Sequence, residues 1–362
     1  MRVVIDGLSY FLNDLELGQY TRRLINNLNP NKDDAISLIR DKEIITTRTP
    51  CNNIEVKQLY INRTNKNYRS VENIINNVNI DIYHCPNNGF SLPDNEKYNC
   101  KVVTTIHNII PKEYERYYNS KYLRKYYNAM QGWDKFTDKI ICPSTYLKEV
   151  LESKFLIDRE KIKVILPVTD KVYTKQSKYL SKVYLKSKFN FEGDFILYSG
   201  ELHKRKRLED FLQIFMELSK NYKDLYFIML AKISNGNYQY YKELSLLIAK
   251  MGLSRQVKII TSLNKYDKLN FYNATKYVVD FSVYEGFNIS LLEARNCGTN
   301  IICSDIQTYK ELLGDSPMYL DIDFPFINDI LEEYLEIDER FIDNRNEDKN
   351  NNELYELYDS LL

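Results

Sequence analysis

Tyr277-Val278-Val279-Asp280-Phe281-Ser282, then Tyr284-Glu285-Gly286-Phe287-Asn288-Ile289-Ser290-Leu291-Leu292-Glu293-Ala294, then Cys297-Gly298-Thr299-Asn300-Ile301-Ile302-Cys303-Ser304 read in order as strand, glycine turn, short helix, glycine stop and strand. An apolar run, a segment of helical period and a second apolar run make a βαβ unit of a parallel sheet. The same stretch sets two carboxylates, Glu285 and Glu293, around the turn and the first helical turn. Gly286 lets the backbone come close to a ligand. The free amides at the start of the following helix offer donors to a diphosphate, and the flanking glutamates accept hydrogen bonds from hydroxyls. Sugars and riboses are rich in hydroxyls, so the expected ligand is a sugar nucleotide. The plainer alternative is a capping box, Ser290-x-x-Glu293, with Glu285 a solvated turn residue.

Working outward, short runs rich in Val and Ile alternate with longer segments of helical period, which predicts an α/β fold with sheets covered on both faces. Strands are expected at Arg2–Asp6, Ala35–Arg40, Asp81–Cys85, Val102–His107, Lys139–Cys142 and Lys161–Leu166 in a first series. A second series is expected at Phe195–Ser199, Tyr226–Leu230, Val257–Thr261, Lys276–Ser282 and Asn300–Cys303. The 362 residues suffice for two domains of ordinary size. The expected division is 1–167 as a first Rossmann-like domain, 168–194 as a link rich in Lys, Tyr and Ser, 195–335 as a second Rossmann-like domain, and 336–362 as a tail. Ligands of open parallel sheets bind beyond the strand C-termini, so two facing sheets are expected to hold the site in a cleft.

From Phe281 to Ser304 the sequence resembles the retaining glycosyltransferase family 4 group, whose members carry a pattern like P-S-x-Y-E-G-F-G-L-P-x-L-E-A-x-A-C-G-T-P-V-x-x-S. Phe281, Asn288, Ser290 and Asn300 depart from it, and both carboxylates and the turn glycine are kept. The resemblance implies the GT-B architecture, two Rossmann-like domains facing across a cleft, with a C-terminal helix returning to the first. It also implies a metal-independent enzyme that moves a hexose from a nucleotide sugar, its substrate rather than a cofactor, to a glycan or lipid-linked glycan acceptor. Glu293 would hold the ribose, Glu285 a donor-sugar hydroxyl, and the Phe287 to Ile289 amides the sugar or diphosphate.

A second segment, Tyr198-Ser199-Gly200-Glu201-Leu202-His203-Lys204-Arg205-Lys206-Arg207-Leu208-Glu209, ends a strand and opens a helix, and is similar to the family's G-x-L-x-x-R-K-N loop. A leaving diphosphate gains charge, and fixed cations stabilise it; Arg205 and Lys206 match the family's basic pair, and Gly200 its turn. Four cations at a helix start oppose the dipole, which points to a bound anion. Glu201 stands where relatives carry Arg or Thr. Thr104-Thr105-Ile106-His107-Asn108 resembles the family's T-I-H-D segment, which places His107 at the donor sugar or the acceptor, with Asn108 in place of Asp. The alternative for His107 is a strand-end histidine bonded to backbone. Leu15-Glu16-Leu17-Gly18-Gln19-Tyr20 resembles a turn over the diphosphate, with Gly18 kept and Glu16 replacing a glycine. His84 matches a family segment and is read as structural packing. Asp321-Ile322-Asp323 is read as a turn leading into a helix, and no metal site is expected.

Lys plus Arg equals Asp plus Glu at 50 each, so no global field argues for a nucleic-acid partner. No run reaches the length of a membrane span, and the start reads as a strand, so the expected place is the cytoplasm. Six cysteines without Cys-x2-Cys spacing are expected as buried thiols. The segment 112–131 holds five Lys or Arg, two Glu and six Tyr; it suits peripheral contact with an anionic membrane on its inner face, against the plainer reading of a tyrosine-rich surface helix. Two further functions compete with the enzyme: a catalytically weak binding or scaffold subunit of a polysaccharide assembly, motivated by Glu16, Asn108 and Glu201, and another GT-B enzyme such as an epimerase or phosphorylase.

Overall fold

The computed structural model describes residues 1–8, 16–26, 28, 34–41, 56–61, 69–92, 98–234, 236–336 and 353–362. The expected turn residues Asn13 to Leu15, the polar stretch Asn344 to Asn352 and Cys51 lie outside them. The chain divides into two compact units, Met1–Val168 with Asn346–Leu362, and Thr169–Arg345.

The first unit has strands β1 (Arg2–Asp6), β2 (Ala35–Asp41), β3 (Val56–Ile61), β4 (Ile82–Cys85), β5 (Lys101–Thr105), β6 (Lys139–Cys142) and β7 (Ile162–Val164). They form one sheet of order β3-β2-β1-β4-β5-β6-β7, every pair parallel. Around it run α1 (Glu16–Asn26), α2 (Arg69–Asn77), α3 (Ile110–Glu113), α4 (Ser120–Lys135) and α5 (Thr145–Phe155). The central strands are buried along their length, Ile82 to Cys85 without exception, which is why they read as unbroken apolar runs. Strand β3 was not anticipated. It lies at the sheet edge, and its sequence, Val-Lys-Gln-Leu-Tyr-Ile, mixes polar with apolar residues.

The second unit has β8 (Asp194–Ser199), β9 (Leu225–Leu230), β10 (Val257–Ile260), β11 (Tyr277–Asp280), β12 (Asn300–Cys303) and β13 (Met318–Tyr319), in parallel order β10-β9-β8-β11-β12-β13. Its helices are α6 (Lys178–Phe189), α7 (Leu208–Asn221), α8 (Tyr238–Lys250), α9 (Lys265–Ala274), α10 (Ile289–Asn296), α11 (Gln307–Leu313) and α12 (Ile327–Glu336). Two apolar cores sandwich the sheet, one including Phe211, Phe215, Phe227 and Leu331, the other Phe195, Phe271, Leu291 and Tyr309. The stretch 168–194 is not a link. Its helix α6 is capped by Ser177, whose hydroxyl accepts from Leu180 N–H, and Leu185 is buried in the second core beside Tyr173. Its lysines line the solvated side and dilute the apolar signal that a core helix usually gives.

The last helix, α13 (Glu353–Asp359), belongs with the first unit. Tyr355, Leu357 and Tyr358 join the core that holds Val3, Ile5 and Ile82. Tyr358 meets His84 Nδ1 at 2.5 Å, and His84 Nε2 meets Thr105 Oγ1 at 2.8 Å. Burial, then the nearby His107, pushes the His84 imidazole down to about 3, so it is neutral and structural. Tyr358→Phe leaves one ring nitrogen without a partner in a buried site and is expected to destabilise the first unit by about 2 kcal/mol, read as a lower urea midpoint. An unchanged midpoint would show that the helix docks through Leu357 and the ring of Tyr358 alone.

Candidate functional site

In both sheets the strand order reverses at one place, between β1 and β4 in the first unit and between β8 and β11 in the second. Such a switch point opens a crevice at the strand C-termini. The loops after Ser199 and after Asp280 in the second unit leave these adjacent strands, which pair Ile196 with Tyr277 and Leu197 with Val278. The loops are also stitched to each other, since Val283 N–H donates to the Arg205 carbonyl at 3.0 Å.

After β8 the chain turns at Gly200, where a Cβ would stand 2.8 Å from the Tyr198 hydroxyl. Gly200 is therefore needed for space rather than for a positive φ. That hydroxyl donates to the Glu201 carbonyl at 2.5 Å. Lys204 to Lys206 then form one 3-10 turn, and helix α7 starts only at Leu208, after Arg207 in the left-handed region with φ 52°. The dipole argument made from sequence is thus corrected. The first turn of α7 carries Glu209 and Asp210, which suit a helix N-terminus, and the cations precede it.

Each of the four cations already has carboxylate partners. Arg205 pairs with Glu285 and lies 3.4 Å from Glu201. Lys206 reaches Glu285 at 2.5 Å and Asp280 at 3.0 Å. Arg207 pairs with Asp210 at 2.6 Å and with Asp323 at 2.7 Å, while Lys204 faces Glu243 at 3.4 Å. Asp321 and Asp323 are a turn, as expected, with Asp321 accepting from Asp323 N–H at 3.0 Å, and Asp323 is spent on Arg207. The inference that four cations demand a bound anion therefore fails, although two of them, Arg205 and Lys206, sit with Glu285 and Asp280 in a fully buried cluster.

Asp280, quoted above only as part of a strand, is the centre of that cluster. Its carboxylate accepts from Lys206 Nζ, Asn288 Nδ2 at 2.9 Å, Tyr309 hydroxyl at 2.8 Å, Ser282 N–H at 3.0 Å and the Ser282 hydroxyl. Burial pushes its carboxyl up, but Lys206 and these donors outweigh it and hold it below its ordinary value. Burial likewise pulls the Lys206 ammonium down, and Asp280 and Glu285 more than offset it. A lone acid ending an apolar strand was the available signal, because an unpaired buried carboxylate is rare.

Asn288, a departure from the family pattern, is the N-cap of α10, and its side chain accepts from Leu291 N–H. Ser290 lies inside the helix, so the capping box proposed for Ser290 and Glu293 is replaced by this cap. Glu293 is buried and takes Lys268 Nζ at 2.6 Å and the Tyr272 hydroxyl at 3.1 Å, the latter also bonded to Ser199. Lys268 and Tyr272 were missed. They stand four residues apart on α9, so one face of that helix carries both. No hydrogen bond among the described residues uses the N–H groups of Phe287, Asn288 or Ile289. Gly286 opens this segment, and the Glu285 carbonyl accepts from the Thr308 hydroxyl at 2.8 Å.

In the first unit His107 follows β5. Its Nε2 lies 2.8 Å from the Pro86 carbonyl, its N–H donates to Asn88 Oδ1 at 2.6 Å, and Tyr20 packs edge-on at 4.5 Å. A carbonyl only accepts, so Nε2 carries the proton. Burial pushes the imidazole down to about 4 against a smaller opposing effect of Pro86, which leaves neutral Nδ1 as an acceptor. The backbone-bonded reading of His107 is thus met. Gly18 is not in a turn. It is buried inside α1, which begins at Glu16. On the segment 112–131, Tyr126 is buried, Tyr118 stacks on Tyr122, and Arg116 and Lys112 lie over the rings of Tyr117 and Tyr127.

Comparison with known proteins follows the same division. Residues 185–317 match the family described as Glycosyl transferases group 1, and residues 42–171 match Glycosyltransferase Family 4. The serotype-specific mannosyltransferase WbdA of Escherichia coli is 26% identical over 246 residues, 67% of this chain. This chain spans about three-tenths of that relative's length (30%). Sucrose-phosphate synthase from Thermosynechococcus elongatus superposes with a TM-score of 0.72 at 14% identity, over 92% of this chain and 90% of that one. Anabaena HepE, in complex with UDP and glucose, superposes with a TM-score of 0.67 at 15% identity, over 93% and 90%. These likenesses show a common GT-B fold, in which residues 185–317 match the glycosyl transferases of group 1 and residues 42–171 match glycosyltransferase family 4.

Proposed function

We propose that this protein is a retaining, metal-independent hexosyltransferase that uses a nucleotide sugar and a glycan or lipid-linked glycan acceptor in surface polysaccharide biosynthesis. What supports the reading is that Arg205 and Lys206 meet Glu285 in one buried cluster, that the helix after Glu285 carries the buried Glu293, and that among the described residues the N–H groups of Phe287 to Ile289 are unused. Cations, helix-start donors and carboxylates are what a sugar diphosphate needs, in that order, for its phosphates and its hydroxyls. Mannose is the first sugar to test, because the relative in Escherichia coli is a mannosyltransferase.

In this reading the acceptor oxygen attacks the anomeric carbon as the bond to the diphosphate breaks. Lys206 and Arg205 stabilise the charge gained by the leaving group, the work a metal does elsewhere. The acceptor's proton passes to the departing phosphate. Glu293 binds the ribose, Glu285 a sugar hydroxyl, and Gly286 lets the backbone approach the ligand; in the first unit His107 offers Nδ1 to a hydroxyl. No helix among the described residues is long and apolar enough to cross a membrane; a cytoplasmic protein with peripheral contact through the basic tyrosine surface of α4 is part of the proposal.

The test is binding and slow hydrolysis of UDP-, GDP-, ADP- and dTDP-sugars, in EDTA, by wild type and Glu293→Ala. Loss of hydrogen bonds to a carboxylate is expected to weaken the preferred donor by roughly 10- to 100-fold. Undiminished affinity would reduce Glu293 to the partner of Lys268 and Tyr272. The prior engagement of every cation in the loop favours a second reading, a subunit that binds nucleotide sugar and turns none over. Nucleotide release without acceptor, or transfer with one, decides against it.

A further inference from the structure

Glu201 has no part in the site as proposed, yet the fold builds its position. The Tyr198 hydroxyl clips its carbonyl at 2.5 Å, and Gly200 leaves the space that this clip fills. Its carboxylate then stands 3.4 Å from Arg205 Nη2, on the side of the guanidinium away from the Nη1 that holds Glu285. The Arg205 side chain is 2% exposed and that of Glu201 42%. Arg205 and Lys206 are balanced in charge by Glu285 and Asp280, all buried. Glu201 is therefore a surplus negative charge at the rim of a neutral cluster. The neighbouring cations do not cancel it, because Lys204 faces Glu243 and Arg207 faces Asp210 and Asp323. His203 does not cancel it either, since burial and the Arg205 and Lys206 charges push its imidazole down to about 4.

We propose that Glu201 is a release gate, a carboxylate that competes with bound diphosphate for Arg205 and disfavours the nucleoside diphosphate product more than the intact nucleotide sugar. The inference rests on the transferase reading above. A terminal phosphate loses its second proton near pH 6, so the free diphosphate carries about one charge more than the diester in the sugar nucleotide. A fixed negative charge beside the binding cation therefore penalises product more than donor. Arg205 Nη2, the amine that does not hold Glu285, also has a waiting acceptor when product departs. Glu201 thus acts on the order of release and on selectivity between the two ligands, without touching the sugar.

The experiment compares wild type, Glu201→Gln and Glu217→Gln by titration calorimetry with GDP and GDP-mannose and with UDP and UDP-glucose, at low salt and at about 0.5 M salt. The diphosphate of the pair that wild type binds is expected to bind Glu201→Gln on the order of two- to fivefold more tightly. Its sugar nucleotide should gain less, and the difference should shrink at high salt. Glu217→Gln, which removes an equal charge from an exposed pair with Lys220 on the later part of α7, should change neither. Equal or weaker diphosphate binding by Glu201→Gln overturns the gate and makes Glu201 a support for Arg205. A matching gain in Glu217→Gln overturns it in favour of a general field. If wild type and variants bind none of the four ligands, the transferase reading itself falls and the gate with it; binding by wild type with no change in Glu201→Gln sinks the gate alone.

Discussion

Asp280→Ala is expected to lower the stability of the second unit by about 4 kcal/mol, because removing one member of a buried ion pair strands its partner. Five donors from four residues lose this acceptor at once: Lys206 Nζ, Asn288 Nδ2, the Tyr309 hydroxyl, and the N–H and hydroxyl of Ser282. Lys206 retains Glu285 at 2.5 Å, which keeps the loss from the top of the usual range. For a unit of this size the change amounts to a melting temperature lower by roughly 8–16 °C. Asp280→Asn keeps an acceptor oxygen and loses only the charge, so about half that loss is expected. The pH dependence separates charge from shape. The folded carboxyl lies below its ordinary value of 3.8, so the stability it contributes is present above that pH and disappears as pH falls through the folded value. Wild type and Asp280→Asn should therefore differ at neutral pH and converge in strong acid. A melting temperature within 2 °C or so of wild type for Asp280→Ala would mean that the network is satisfied by water instead.

Lys206→Met is the second large effect, and it falls on turnover. In the proposed reaction the ammonium stabilises charge that appears only as the glycosidic bond breaks, and loss of one such group costs about 3 kcal/mol, on the order of 100-fold in rate. The folded state should suffer less than in Asp280→Ala. Asp280 keeps Asn288, Tyr309 and Ser282, and Glu285 keeps Arg205. Methionine also preserves the stem that packs near the Tyr198 ring, 6.0 Å from the ammonium. Turnover should be measured below the melting transition, with donor affinity alongside. A large fall in turnover with donor affinity little changed places Lys206 on the transition state, whereas unaltered turnover removes it from the mechanism and leaves it a buried counter-ion.

The fold was legible where strands were wholly buried. Arg2–Asp6, Lys139–Cys142 and Asn300–Cys303 have the boundaries expected from their apolar runs, since a strand covered on both faces has no solvated residue to blur it. It was illegible at edges. Val56–Ile61 and Met318–Tyr319 close their sheets on one side only, where neither length nor apolar pattern is demanded. Helix α6 was taken for a link because lysine and tyrosine covered its outer side and only residues such as Leu185 marked the inner one.

Within the site, the sequence by itself determined the local pieces: a turn at Gly286, a helix beginning near Ile289, a basic turn after Ser199, and a histidine ending a strand. Each depends on neighbours in the chain, through backbone conformation and periodicity. Only the tertiary structure decided who pairs with whom. Strands β8 and β11 lie side by side although two further strands intervene in the chain, and that adjacency sets Lys206 against Asp280 across 74 positions and Arg205 against Glu285 across 80. Ion pairing between distant segments leaves no periodic trace in a sequence. Whether a cation is waiting for a ligand or already held by a carboxylate is therefore settled by packing alone.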